Sequence, residues 1–325
     1  MERKVKSKVA ITKGKNIVEN VINALNLIDA QCLISTEKKV LIKPNLLEVH
    51  NAYSGYVTKP EVIRGIIRFL KEIGVNNVVV AEGGNFDTKK CAECSDILNV
   101  VAQEGVDFVD LNYDETTVVK IPDYLRLPKV RIANTVLNSD VIISAPVLKT
   151  HLYATVTLSL KNMMGVLIND EAPAKLDKKI IHPEFWGPGD FERMGREKSI
   201  ESIRSADMRI VDLNSVVRPH LAVIDAITGI EGNGPSSGEI INKLDVIITG
   251  NDPVATDVIG STFMGIDPKK IGHIAMAGIK GLGETDISKI IFSGVPLNEF
   301  KRNFRLPDFI AKHPDWFDWV VSYQG

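Results

Sequence analysis

Asp140-Val-Ile-Ile-Ser-Ala-Pro146, then Val-Leu-Lys149-Thr150-His151, then Lys161-Asn162-Met-Met-Gly165 a little further on, is the stretch on which the fold turns. Its first segment reads as a buried β-strand, made of β-branched and small residues and closed by a proline that has no N–H to give to a ladder. From Val156 onward the apolar residues Val156, Leu160, Met163 and Leu167 recur at helical intervals. A helix there stacks Thr157 and Lys161 on one face. Lys149, Thr150 and His151 then occupy the turn between strand and helix. Open α/β sheets bind ligands at such strand tips.

Working outward, the same alternation repeats. Strands are expected at 5–12, 39–43, 78–81 and 107–111, with helices at 16–27, 58–73 and 95–104 between them. Strand, helix, strand, helix predicts a mainly parallel sheet flanked by helices. The helix after residue 58 has Pro60 in its first turn, Glu61 at its positive end and Gly74 as its stop. Further strands are expected at 221–225, 244–249 and around 290–292. The length suits two α/β lobes, 1–148 and 149–325, with a cleft between them. The Pro/Gly-rich segment 169–195 reads as a lid or functional loop.

Bulk composition narrows the classes. The chain has 325 residues, 44% of them hydrophobic and 25% charged, and a net charge of −2, which argues against a nucleic-acid surface. No apolar run reaches the roughly 18 residues of a membrane span, and the N-terminus does not read as a secretory signal. Three cysteines fit a reducing, cytoplasmic setting. Cys91 and Cys94 form one Cys-x-x-Cys, half of a metal or cluster site without a second pair, and read as loop thiols.

Several expected strands finish in polar or glycine-rich chemistry, and parallel strands bring such tips to one edge. Lys43 and Lys149 are compact cations suited to phosphate or carboxylate, or solvated loop lysines. Asn45 and Asn233 are substrate donors or turn formers. Glu82, just beyond the apolar strand, suits acid–base work or loop bracing. The loop from Glu231 through Asn233 and Gly234 to Gly238 lets backbone amides approach an anion, but it is neither a Walker nor a dinucleotide motif. Among six histidines, His151 at the strand tip and His182 in the lid-like segment are the functional candidates; His220, His273 and His313 read as structural.

Four motifs carry a family likeness: Val40-Leu-Ile-Lys43-Pro-Asn45, Lys149-Thr-His151, Leu160-Lys161-Asn162-Met-Met-Gly165 and Glu231-Gly-Asn233-Gly-Pro235. Together with Asp252-Pro-Val-Ala-Thr-Asp257 and Gly281-Leu-Gly283 they resemble the domain-of-unknown-function family 362. Some members of that family carry ferredoxin-type clusters. A pair of such clusters needs eight cysteines, so an iron–sulfur cluster is not expected in this chain.

More distantly, the run from Asp140 through His151 and Lys161 to His182 resembles the lactate racemase family. That resemblance implies a nickel pincer nucleotide or a divalent metal. His151 would then be base or metal ligand, Lys161 the cofactor- or carbonyl-binding cation, and His182 a second ligand. Ser159-Leu160 stands where that family has a glycine pair, and Lys43-Pro44-Asn45 where it has a phosphate-gripping Asp-x-x-Arg.

The resulting expectation is an enzyme acting on a small anionic or carbonyl-bearing metabolite by racemase- or epimerase-like proton or hydride transfer. His151, Lys161 and Glu82 are its catalytic candidates. Lys43, Asn45, Lys149, Asn162, Glu231, Asn233 and Gly234 are its binding candidates, and a homo-oligomer is a further expectation. The alternative is a non-catalytic metal- or cofactor-binding accessory protein serving a redox partner.

Overall fold

A computed structural model describes residues 6–84, 87–168, 180–182, 188–297 and 301–323. Most of the lid-like segment 169–195 therefore lies outside the described residues, although α7 (Pro188–Met194) belongs to it.

An 11-stranded sheet runs through the protein in the order β13-β1-β12-β10-β7-β2-β3-β4. Its strands are β1 (Lys8–Lys13), β2 (Val40–Lys43), β3 (Val78–Glu82), β4 (Asp107–Asp110), β7 (Val141–Ser144), β10 (Leu221–Glu231), β12 (Val246–Gly250) and β13 (Ile291–Gly294). The strands β8 (Val147–His151) and β11 (Glu239–Ile241) pair with β10, and β9 (Thr155–Thr157) pairs with β8. A separate hairpin joins β5 (Thr116–Lys120) to β6 (Lys129–Ala133). The half from β10 to β4 is parallel throughout; β12 runs antiparallel to both β1 and β10. The fold is thus mixed α/β with a mostly parallel sheet.

Successive side chains of a strand point to opposite faces, and in this sheet both faces are dry. Leu41, Val79, Ala81 and Ile142 enter one core cluster, while Val40, Ile42, Val78, Val80, Val141 and Ile143 enter the other. The second cluster is closed by α1 (Ile17–Leu27), α2 (Pro60–Glu72), α3 (Thr88–Cys94) and α4 (Ile97–Gln103). The first is closed by α8 (Arg196–Val216), α9 (Pro253–Phe263) and α10 (Gly272–Ile279). Two short helices, α5 (Asn134–Leu137) and α6 (Ser159–Asn162), complete the helices up to α7. The boundary expected between residues 148 and 149 falls inside β8, and the sheet continues through both halves of the chain.

Three local expectations need correction. Lys149, Thr150 and His151 are not a loop but the end of β8, which pairs with β10 on one side and β9 on the other. All three are buried, so their backbone groups need ladder partners. Second, the helical pattern from Val156 does not start a helix there. Thr155–Thr157 is β9, and α6 begins at Ser159 because the Asp257 carboxyl group of α9 accepts the N–H groups of Ser159 (2.8 Å) and Leu160 (2.9 Å). A distant residue supplies the acceptor that Leu158, the residue before the helix, lacks. Third, Asp225 is not a strand end. β10 runs on to Glu231, and Asp225 sits in its middle, accepting the Lys59 N–H at 2.9 Å with the Lys59 ammonium 3.5 Å away.

Candidate functional site

The C-terminal ends of β2, β3 and β8 converge on a cavity of about 360 Å³. That volume is at the small end of ligand sites, which span roughly 300–1,000 Å³. Lys43, Asn45, Glu82, Lys149, His151, Lys161, Asn162 and His182 all line it. The remaining candidates do not. Glu231 accepts the backbone N–H of Arg305, and Asn233 exchanges hydrogen bonds with Asp308, so both hold the C-terminal segment. Gly234 packs on β8: a Cβ there would stand 2.3 Å from the Thr150 carbonyl oxygen. The glycine loop therefore shapes the mouth through Pro235 and Ser236, which do line the cavity.

Two layers of polar contacts build the wall. In the deeper one, Lys43 Nζ is 2.7 Å from Glu82 and also donates to the Pro44 carbonyl (3.2 Å) and Asn162 Oδ1 (3.4 Å). Glu82 in turn accepts from the N–H groups of Gly83 (2.9 Å) and Leu46 (3.4 Å). Burial pushes the Lys43 ammonium below its ordinary range, and the Glu82 charge opposes that push. Gly165 leaves room for this pair, since a Cβ would lie 2.0 Å from Glu82 Oε1 and 2.6 Å from Lys43 Nζ and the two side-chain ends would have to shift. Asn162 ties the layer to the sheet by donating to the Lys43 carbonyl (3.2 Å) and Ser144 Oγ (3.0 Å). Lys43 and Glu82 thus satisfy each other within the cavity wall.

The outer layer is a row of donors. Lys149 Nζ donates to Asn45 Oδ1 at 2.6 Å and to the Tyr56 carbonyl at 2.9 Å, while Asn45 Nδ2 holds Asn162 Oδ1 at 3.0 Å. Lys161 Nζ lies 3.5 Å from the Met164 sulfur and 5.2 Å from the centre of the Tyr153 ring, a cation–π contact. His151 meets the same ring edge-on at 4.3 Å, and His182 meets it at 5.3 Å. At the mouth, Ser236 donates to Glu48 at 2.8 Å, and His50 stands 3.5 Å from that carboxylate and stacks on Tyr56.

The environment of His151 decides what the cavity offers a ligand. Its Nδ1 accepts the backbone N–H groups of Tyr153 and Ala154, each at 3.4 Å. Burial, with Lys161 and His182 nearby, holds the imidazole well below its usual range. The ring is therefore neutral at pH 7, and with Nδ1 turned to two amide N–H groups its proton sits on Nε2.

A metal fits this donor set poorly. Metal sites need three or more protein ligands as a rule, and among the described residues no group of three His, Cys, Asp or Glu side chains comes together. His151, moreover, has Nδ1 engaged and Nε2 protonated. Cys91 is buried and Cys94 exposed on α3, with burial raising the Cys91 thiol to about 11.

Sequence reasoning missed Tyr153, Glu48 and Ser236. Tyr153 lies between two quoted motifs, and only the β8–β9 turn brings its ring back over Lys161. Glu48 and Ser236 come from two loops whose meeting no local pattern records.

Residues 40–262 match the family described as domain of unknown function, DUF362. The chain belongs to this family. A thylakoid-associated protein of Synechocystis sp. is 24% identical over 272 residues, covering 84% of this chain and 77% of the relative. The lactate racemase apoprotein of Thermoanaerobacterium thermosaccharolyticum superposes with a TM-score of 0.41 and 13% identity over 75% of this chain and 54% of that one. This chain thus matches about half the length of that racemase, and a likeness of that size says nothing about chemistry. No helix among the described residues is long and apolar enough to cross a membrane.

Proposed function

We propose that the cavity binds a small carboxylate and moves a proton at the carbon beside its carboxyl or carbonyl group, as a racemase or epimerase does. The observation that carries this reading is the donor row: the Lys149 and Lys161 ammoniums beside a neutral His151 whose Nδ1 is engaged. Such a wall matches an acceptor-rich ligand and, above all, an oxygen on which negative charge grows. Lys149 and Lys161 bind the carboxylate. His151 donates Nε2–H to the carbonyl oxygen, a contribution of about 3 kcal/mol in comparable sites. His182, the other imidazole in the wall, takes the proton as the C–H bond breaks. The bonding pair enters the enediolate; water then delivers a proton to the opposite face while His182 releases its own to solvent, which inverts the carbon with no net redox change.

The test is incubation in D2O with a panel of 2-hydroxy, 2-amino and 2-oxo acids, followed by proton NMR. The expected result is deuterium at the carbon next to the carboxyl or carbonyl group of at least one of them, slowed about 100-fold or more in His151→Leu. Binding of a panel member without exchange in any would turn the reading into that of a binding protein. The same proposal keeps the protein in the cytoplasm. Recovery with membranes on cell fractionation, as the name of the Synechocystis relative suggests for that protein, would set that part aside.

A further inference from the structure

One polar side chain of the cavity wall takes no part in the contacts described above. Thr157 ends β9, which pairs antiparallel with β8 so that Thr157 stands opposite Lys149 and Thr155 opposite His151. Residues directly opposite one another share a face of the hairpin, and so do alternate residues along each strand. Lys149, His151 and Thr157 accordingly all line the cavity. Thr150 and Val156 take the other face. Thr150 Oγ1 donates to the carbonyls of Ile230 (3.2 Å) and Gly232 (2.9 Å), and Val156 enters the core.

Thr157 is 5% exposed, and its hydroxyl has no hydrogen-bond partner among the described residues. A valine of the same shape would serve a buried strand as well, without a polar atom to satisfy. A buried hydroxyl left without a partner costs free energy, and its presence in a packed wall calls for a partner from outside the chain. Other polar groups of this wall find theirs within it: Lys43 bonds Glu82, and Asn45 bonds Asn162. One staggered step about the Thr157 Cα–Cβ bond exchanges its hydroxyl with its methyl group, so the hydroxyl can turn to the cavity.

Its neighbours decide what it meets there. Across the hairpin stands the Lys149 ammonium, and on the same face the neutral His151 ring with its proton on Nε2. Both are donors, so the group that fits against this face is an acceptor oxygen, and a threonine hydroxyl answers it by donating.

We propose that Thr157 is a ligand-binding residue whose hydroxyl donates to an acceptor oxygen of the molecule held in the cavity. On the function proposed above, on which this inference rests, that oxygen belongs to the carboxylate. A hydroxyl whose partner is the ligand differs from a structural one in a measurable way. Its removal weakens binding and leaves the ligand-free protein no less stable.

The experiment is calorimetric titration of oxalate, and of glycolamide as a neutral acceptor, into the wild type, Thr157→Val and Thr157→Ser, with denaturant melts of the ligand-free proteins. Thr157→Val should weaken oxalate binding about 10-fold or more, the worth of one hydrogen bond to a charged group. Its denaturant midpoint should stay level or rise. Thr157→Ser, which keeps the hydroxyl, should bind closer to the wild type than to the valine variant. Equal oxalate affinity in the wild type and Thr157→Val overturns the proposal and leaves the anion-binding reading standing. A lowered midpoint in Thr157→Val also overturns it, because the hydroxyl would then have its partner in the ligand-free protein. Wild-type protein that binds glycolamide and not oxalate counts against the anion-binding reading, and the loss or persistence of glycolamide affinity in Thr157→Val then decides the role of Thr157. Binding of neither probe overturns both claims. If Thr157→Val fails to fold, Thr157→Ala replaces it, and affinity equal to that of Thr157→Ser overturns the proposal.

Discussion

That His151 stands at a strand tip was legible in the sequence, and it lines the cavity; what its ring nitrogens meet was not legible. A histidine after an apolar strand suggests a base, and nothing in the local sequence shows that the chain turns back so that the Tyr153 and Ala154 amides occupy Nδ1. The depressed imidazole has a consequence for stability. The unfolded ring titrates near 6.5 and the folded one well below it, so the unfolded chain binds the extra proton first. The contribution is present above 6.5 and is lost as pH falls toward the folded value, with a slope of at most about 1.4 kcal/mol per pH unit. Denaturant melts at pH 7 and pH 5 should show His151→Gln losing less stability on acidification than the wild type. Equal losses would contradict the buried neutral imidazole. Lys43 and Glu82 carry the complementary lesson: each looked like chemistry on its own, and together they form a satisfied ion pair. Gly165→Ala makes the two side-chain ends shift within a packed site, and a loss of about 1–3 kcal/mol in melts is expected, as for other overpacked positions. A loss below 1 kcal/mol would mean that the pair is not packed as described.

At the scale of elements, apolar periodicity gave β2, β3, β7 and α2 because each buries a face that its own residues define. It failed at residues 147–162, where long-range partners decide. β8 exists because β10 and β9 flank it, and α6 starts at Ser159 because Asp257 reaches across from α9. Burial raises the Asp257 carboxyl to about 8 in spite of those two donors. Its folded value lies above the unfolded 3.8, so its contribution is complete below pH 3.8 and is lost as pH rises through about 8. Asp257→Asn should therefore flatten the fall in stability between these two values, and it should speed amide exchange at Ser159 and Leu160. Unchanged exchange at both amides would show that α6 does not depend on this contact.

Across the whole molecule, the mainly parallel sheet followed from the alternation of strands and helices. Its continuity did not, since strand order depends on pairings between distant residues such as β7 with β10. The cavity inherits that dependence. Lys43, Glu82 and His151 come from three strand ends that only the sheet order brings together, whereas Glu231 and Asn233 came with the same expectation and serve the C-terminal segment instead. The function proposed above requires that the donors of the cavity wall select a small anion. Calorimetric titration of oxalate into the wild type and Lys161→Met tests that most directly. We predict binding to the wild type that weakens about 10- to 100-fold in the variant, the worth of one charged hydrogen bond. Equal affinity in the two proteins, or none in either, would contradict it.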